Sequence, residues 1–404
     1  MTPLAIWPDE PRLAVARSMD GIRQSPLREV MGMIRRPGVL SFAHGMPALE
    51  LLPAELLARG AGEILPAEPR HLQYGVPLAE LQEQVVELMR RRGVACTAQQ
   101  VFLTTGAQQG LSLLSHLLLE PGGDVLLEET VYDGMQMAVL PMRPRLHTVP
   151  SDLHRGIDVD AVESLLERGV RPAFLYVVTE GHNPLGVSLS WESRQRLAGL
   201  AKTYGVPIVE DDAYGFLTYD ETEALPPIKA LEARWVFYVG SFSKILAPAL
   251  RVGWVVVPEE LIPLLTALKH GNDVDTCTFS QALVSRFLDS GSLPLHLHRL
   301  RSAYRARRDA MLAALDRHLE GAARWNRPTA GMFVWLELPR PLDLVALLMS
   351  AIEQDGVAFS PGIAFTVGAS EQADRTLRLS FVTLPPDEIE EGVRRLARAL
   401  ARGE

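Results

Sequence analysis

Apolar residues recur along this chain in two rhythms, and the switch between them gives the first outline of its architecture. Residues 53–65 and 78–92 carry apolar side chains at helical spacing, with the loop Gln73-Tyr74-Gly75 between them. From residue 101 onward, short continuous apolar runs alternate with longer amphipathic segments. The runs at 101–103, 125–128, 173–178, 207–210, 236–239 and 253–257 read as strands, and 108–119 and 191–204 as helices between them. Several of these strands lack in-and-out alternation, which is the mark of strands covered on both faces. The pattern therefore predicts an α/β fold, a mostly parallel sheet sandwiched by helices. From about 259 the alternation gives way to helices. Residues 294–319 form a long, arginine-rich amphipathic helix, followed by strands at 333–338, 357–359 and 377–381 and helices at 342–354 and 386–401. This divides the chain into an N-terminal arm (1–45), a large domain (46–290) and a smaller α+β domain (291–404). In the arm, Ser25-Pro26 reads as a helix start, and 40–47 as a short extended piece.

Open α/β sheets bind ligands beyond the carboxyl ends of their strands, and those ends hold the polar residues of interest. Thr104-Thr105-Gly106-Ala107-Gln108-Gln109-Gly110 follows the first run. Asn183-Pro184 follows the third, Asp211, Asp212 and Tyr214 the fourth, and Ser241, Ser243 and Lys244 the fifth, with Arg251 seven residues after the lysine. All of them gather at one edge of the proposed sheet.

Composition narrows the function. A net charge of −9 over 404 residues argues against nucleic acid as a partner. The two cysteines, Cys96 and Cys277, form no CxxC pair and no disulfide framework. No apolar run reaches membrane-spanning length, and the first twenty residues lack a signal-peptide apolar core. A cytoplasmic protein acting on small molecules is the expectation.

Each candidate has a plain reading beside a chemical one. Lys244 is either a surface lysine in a loop or a partly desolvated amine with a lowered pKa, able to form Schiff bases. Gly106 to Gly110 is either a tight strand–helix turn or an anion site made by free N–H groups at a helix start. There is no GxGxxG and no GxxxxGK[ST], so neither a dinucleotide nor a P-loop nucleotide is indicated. Glu210, Asp211 and Asp212 can form an N-cap cluster, a metal site, or an anion opposite a protonated ring nitrogen. The metal reading lacks nearby histidines, since His296 and His298 do not share a helix face, and no metal is expected. Arg378, in the otherwise apolar strand at 376–381, needs an anion: a protein carboxylate or a substrate carboxylate gripped bidentately.

Taken together, these motifs resemble the fold-type I pyridoxal 5′-phosphate (PLP) enzymes, and within them the class I/II aminotransferases of the 2-aminoadipate and kynurenine aminotransferase branch. The resemblance runs from about Ser25 to the C-terminus. It is carried by Ser241-Phe242-Ser243-Lys244 with Arg251, Asp211 to Tyr214, Asn183-Pro184-Leu185-Gly186, Gly106 to Gly110, Gln73-Tyr74-Gly75 and Arg378-Leu379-Ser380-Phe381. It implies an aminotransferase that moves an amino group from an L-amino acid to a 2-oxo acid by a ping-pong cycle. Lys244 would carry PLP as an internal aldimine and shuttle the proton, while Asp211 would pair with the pyridine nitrogen. Asn183 and Tyr214 would bond the ring's 3-oxygen, and Tyr132 would stack on the ring. Gly106, Ala107, Gln108, Ser241, Ser243 and Arg251 would hold the phosphate. Tyr74 would reach the phosphate of a neighbouring subunit, making a homodimer with shared sites. Arg378 and Asn183 would bind the substrate α-carboxylate, with Gly45 lining the pocket. Arg28 is either a solvated helix arginine or a contact for a distal acid, while Phe42, Met46 and Phe365 would suit an apolar side chain.

Five positions depart from the branch's usual pattern. His182 stands before Asn183 and Leu185 two after it, where the branch has Gln-Asn-Pro-Thr-Gly. Ala107 stands for a common serine, Thr130 for a proline and Ala330 for a glycine. Cofactor binding is expected to survive these changes. They leave room for another PLP reaction, by a lyase, oxidase or cyclase, with His182 as the first residue of altered role or merely packed under its loop. A related group joins this scaffold to a DNA-binding domain. The roughly forty residues ahead of the core and the negative charge speak against that arrangement here.

Overall fold

The computed structural model describes residues 32–34, 36–219, 224–368, 370 and 372–403. Its centre is a seven-stranded sheet formed by β1 (Val101–Thr104), β2 (Asp124–Glu128), β3 (Arg145–Val149), β4 (Leu175–Val178), β5 (Ile208–Asp211), β6 (Val236–Ser241) and β7 (Gly253–Val256), in the order β1-β7-β6-β5-β4-β2-β3. β3-β2-β4-β5-β6 is a parallel run, and β7 lies antiparallel between β6 and β1. The inner strands β4, β5, β6 and β7 are buried throughout, which is why they read as unbroken apolar runs. Separate apolar clusters cover the two faces, one including Leu111, Leu114, Tyr176, Val209 and Val239, the other Leu175, Val177, Leu197, Ile208 and Val236. The α/β sandwich expected from the pattern is the fold observed.

Because β7 runs against its neighbours, its amino-terminal end lies at the same edge as the carboxyl ends of β1, β4, β5 and β6. That reversal brings Arg251, two residues before β7, to the edge that holds Lys244. Strand β3 is absent from the pattern-based reading. It is an edge strand in which Arg145, Leu146 and Thr148 are exposed, so it shows no apolar run.

A second, four-stranded antiparallel sheet contains β8 (Arg324–Trp325), β9 (Phe333–Glu337), β10 (Ser360–Pro361) and β11 (Thr376–Ser380), in the order β8-β9-β11-β10. The helix Leu293–His318 lies beside the C-terminal helix Pro386–Gly403, whose apolar stripe Ile389, Val393, Leu396 and Leu400 is buried. The expected helix at 342–354 begins at Leu344 as an α-helix and changes to a wider π turn at Ala351–Asp355. Leu40–Ser41 pairs in parallel with Val357–Ala358, so the segment after the described residues 36–39 is tied into this second layer. The expected helix start at Ser25 lies outside the described residues.

Candidate active site

The carboxyl edge of the large sheet opens into a cavity of about 470 Å³, shared with the second sheet. Ala107, Gln108, Tyr132, Asn183, Asp211, Tyr214, Ser241, Ser243, Lys244, Arg251, Arg378 and Gly45 all line it. Tyr74 does not: it is 80% exposed, with its backbone N–H bonded to the Gln73 side chain. Arg28 lies outside the described residues. Of the residues suited to an apolar side chain, Met46 and Phe365 line the cavity, whereas Phe42 is fully buried in the core.

At one end the helix Ala107–Leu118 begins at Gly106, and no side chain among the described residues caps its first turn, so amide N–H groups are left open. Gly106 has φ +78°, and a β-carbon there would stand 2.4 Å from Arg251 Nη2; only glycine lets the guanidinium lie against the turn. Arg251 Nη1 donates to Ser243 Oγ (3.4 Å) and Nη2 to the Thr105 carbonyl (3.1 Å). Open N–H groups, two serine hydroxyls and a guanidinium make an anion site, in favour of the chemical reading of this turn. Gln108 donates to the Gly134 carbonyl (2.7 Å) and accepts from the Tyr132 hydroxyl (3.2 Å), fixing the tyrosine at the cavity wall.

The three consecutive acids separate because side chains alternate along a strand. Glu210 turns away and accepts the Ile228 and Lys229 N–H groups (2.7 and 2.8 Å), the capping role among the alternatives. Asp212 is salt-bridged to Arg92 (3.1 Å) and accepts the Tyr238 hydroxyl (2.9 Å). Asp211 alone lines the cavity. Its Oδ2 accepts the Tyr176 hydroxyl at 2.9 Å, and its buried Oδ1 has no hydrogen-bond partner among the described residues. Burial raises its pKa to about 6, against the Tyr176 bond. The sequence reading missed Tyr176. It is a tyrosine inside an apolar run, and its role becomes visible only with the register in which it pairs Val209, two residues before Asp211.

Lys244 donates to the Gly45 carbonyl at 2.8 Å. Burial, then the charges of Arg378 and Arg251, lower its pKa to about 8, with Asp211 pulling the other way. It is not a solvated loop lysine. Gly45 is confined as well, since a β-carbon would fall 2.4 Å from the Phe333 ring. Arg378 donates to Asn183 Oδ1 (2.6 Å), the Ala43 carbonyl (2.7 Å) and Ser360 Oγ (3.3 Å), all neutral acceptors. Its guanidinium is held between the rings of Phe333 and Phe365, at 4.2 and 4.5 Å. Nε is buried without a partner among the described residues, and burial lowers the pKa to about 10. Among the described residues no carboxylate is bonded to this enclosed cation, a setting that suits an incoming anion.

Residues 49–396 match the family described as Aminotransferase class I and II. This chain is a class I/II aminotransferase. The aminotransferase is 41% identical over 394 residues to the 2-aminoadipate transaminase of Thermus thermophilus, covering 96% of each chain. It is 34% identical to aromatic-amino-acid aminotransferase 1 of Thermococcus litoralis, covering 94% of this chain and 92% of that one. Its backbone matches the structure of LysN, the alpha-aminoadipate aminotransferase of Thermus thermophilus complexed with N-(5′-phosphopyridoxyl)-L-leucine, with a TM-score of 0.89 at 38% identity, covering 96% and 97% of the two chains. PLP is the cofactor, and the cavity fits it. The open helix start with Arg251 suits a phosphate, the unpartnered Asp211 Oδ1 suits a protonated ring nitrogen, and Lys244 supplies an amine for an aldehyde.

His182, the departure beside Asn183, turns away from the cavity. Its Nε2–H donates to Glu128 Oε2 at 2.9 Å, and Nδ1 accepts the Leu185 N–H at 3.3 Å. Glu128 also accepts the Ser151 hydroxyl at 2.8 Å. His182 thus ties the Asn183 loop to the end of β2. His182→Ala, which leaves Glu128 with Ser151 as its one side-chain donor among the described residues, is expected to cost about 1–3 kcal/mol of stability, seen as a lowered Tm. His182→Gln, which keeps an N–H donor, is expected to recover most of it, with the reaction products unchanged in both variants.

Proposed function

We propose that this aminotransferase exchanges an amino acid and a 2-oxo acid alternately at one cavity, by a ping-pong cycle. The observation that carries the proposal is the meeting of Lys244, Asp211 and Arg378 in that cavity: an amine, an anion and a cation, none bonded to a group of opposite charge among the described residues. PLP supplies the aldehyde and the ring that takes up electrons released at the substrate α-carbon. The protein's part is to hold and to move protons. Arg378, with Asn183, grips the α-carboxylate and so fixes the α-carbon within reach of Lys244. Once its amine is free, Lys244 takes the α-proton as general base; a pKa lowered to about 8 leaves a larger share of the amine unprotonated near neutral pH than an ordinary lysine keeps. Asp211 holds the ring nitrogen in its protonated form, while Tyr214 and Asn183 serve the ring oxygen and Tyr132 its face. Gly106, Ala107, Gln108, Ser241, Ser243 and Arg251 bind the phosphate. Gly45 bounds the substrate.

The working unit in this reading is a homodimer. Tyr74 is remote from the cavity of its own chain and largely exposed, beside Val76 (80% exposed) and Leu72 (67%), as a residue that serves a second copy would be. The last residues of the arm 1–45, from Ala43 to Gly45, and the units 46–290 and 291–404 then frame the cavity. The cytoplasm is the proposed setting.

Initial rates measured over a grid of amino acid and 2-oxo acid concentrations test the cycle. Parallel double-reciprocal lines are expected; intersecting lines contradict it. A monomer by light scattering at catalytic concentration contradicts the shared site.

A further inference from the structure

We propose that Asp133 selects the substrate side chain, favouring amino acids that end in a cationic or N–H donor group and disfavouring those that end in a second carboxylate. The inference rests on the transamination reading of the same cavity and adds the class of substrate to it.

Asp133 immediately follows Tyr132, opens the short helix Asp133–Val139 and lines the cavity. The other formally charged lining groups each have a counterpart in the reactants. Lys244 meets an aldehyde, Arg251 a phosphate, Asp211 a ring nitrogen, and Arg378 an α-carboxylate. Asp133 has none. No salt bridge or side-chain hydrogen bond pairs its carboxylate among the described residues. Burial pushes its pKa above the ordinary carboxylate value, opposed first by the charge of Arg378 and then by the backbone N–H groups of Gly134 and of Asp133 itself. In return, Asp133 is the anion that acts most strongly on Arg378.

That coupling gives the selection its mechanism. Arg378 is fixed by three acceptors and two aromatic rings, so it cannot turn to follow Asp133. When a substrate α-carboxylate docks on it, the positive charge that offsets Asp133 is neutralised. A partly buried carboxylate is then left uncompensated, which is costly. A substrate whose far end is an ammonium, a guanidinium or another N–H donor restores the balance. A substrate with a distal carboxylate places like charges in one cavity and is rejected, a repulsive element of specificity.

The test uses two ligands of similar length that lack an α-amino group and cannot react: 4-guanidinobutanoate and glutarate. Each offers one carboxylate to Arg378, and they differ in charge at the other end. Calorimetric titration of the PLP-loaded enzyme is expected to show the guanidino acid binding at least tenfold more tightly. In Asp133→Asn, which preserves size and an acceptor for the helix-start N–H groups, that ratio is expected to fall at least tenfold; Asp133→Ser is expected to move it the same way. Tighter binding of glutarate by the wild type, no binding of either ligand, or an unchanged ratio in both variants overturns the proposal. Equal tightening of both ligands in Asp133→Asn also overturns it, since Asp133 would then serve only as a counter-charge to Arg378. The steady-state ratio of kcat/KM for L-lysine over L-2-aminoadipate is expected to follow the binding ratio. A protein that fails to transfer amino groups but keeps the binding ratio would sink the transamination reading and leave the selection by Asp133 standing.

Discussion

Lys244→Ala is expected to lower kcat by at least about 10⁴-fold, the largest effect of any single substitution in this chain. In the proposed cycle it removes the covalent attachment point for the cofactor and the proton carrier together, and a positioned general base alone contributes about 10²–10⁴-fold. The fold should survive, because among the described residues the Lys244 amine makes one hydrogen bond, to the Gly45 carbonyl, and its burial disfavours the charged form. Reduction with borohydride followed by intact-mass measurement separates chemistry from folding. The wild type is expected to retain the cofactor's mass and the variant to lose it. The lowered pKa adds a second readout. The neutral amine is the nucleophile, so the rate at which cofactor-free protein captures PLP should rise with pH and level off above a midpoint near 8. A midpoint near the ordinary lysine value of 10.5 would show that Lys244 is not held in this desolvated, cation-flanked setting.

Arg378→Ala is expected to cost two to nearly four powers of ten in kcat/KM, with cofactor retained. Breaking a buried charge pair by removing one partner costs about 3–5 kcal/mol, and each 1.36 kcal/mol is tenfold in rate. The loss should fall on every amino acid alike, since the α-carboxylate is common to all of them. That separates Arg378 from Asp133, whose effect depends on the side chain. Arg378→Lys is expected to recover little. The planar guanidinium fills the slot between Phe333 and Phe365 and reaches three acceptors at once, and an ammonium cannot reproduce that geometry. Comparison of kcat/KM for two amino acids of unlike side chain checks both points.

Much of this site can be read from the sequence because its residues follow buried parallel strands, and buried parallel strands announce themselves as apolar runs. The ends of β4, β5 and β6 lie within two residues of the positions expected from those runs, so Asn183, Asp211 and Lys244 can be placed on one edge before any coordinates are seen. Direction is harder. Nothing in 253–257 distinguishes an antiparallel strand from a parallel one, yet the reversal of β7 is what delivers Arg251. Register is also hidden, so Tyr176, which supports Asp211 from the neighbouring strand, passes as one more core aromatic. The choice between a protein carboxylate and a substrate carboxylate for Arg378 depends on contacts 18 and 195 residues away in sequence, at Ser360 and Asn183. His182 shows the opposite error. The sequence marks it as unusual beside the asparagine and invites a chemical role, whereas in the fold its ring faces Glu128 and braces the loop. Asp133 went unread beside Tyr132 because one carboxylate at a helix start is ordinary, and only the cavity shows that it lacks a counterpart.

The central claim is that this cavity takes the amino group from one substrate and holds it for another. A half-reaction isolates that step. The PLP-loaded enzyme is mixed with a panel of L-amino acids in the absence of any 2-oxo acid, cofactor absorbance is followed, and products are identified by mass spectrometry. Conversion of the cofactor to its amine form, with one equivalent of 2-oxo acid released per site, is the predicted result. Return of the cofactor unchanged, with an eliminated, oxidised or cyclised product, would contradict the account.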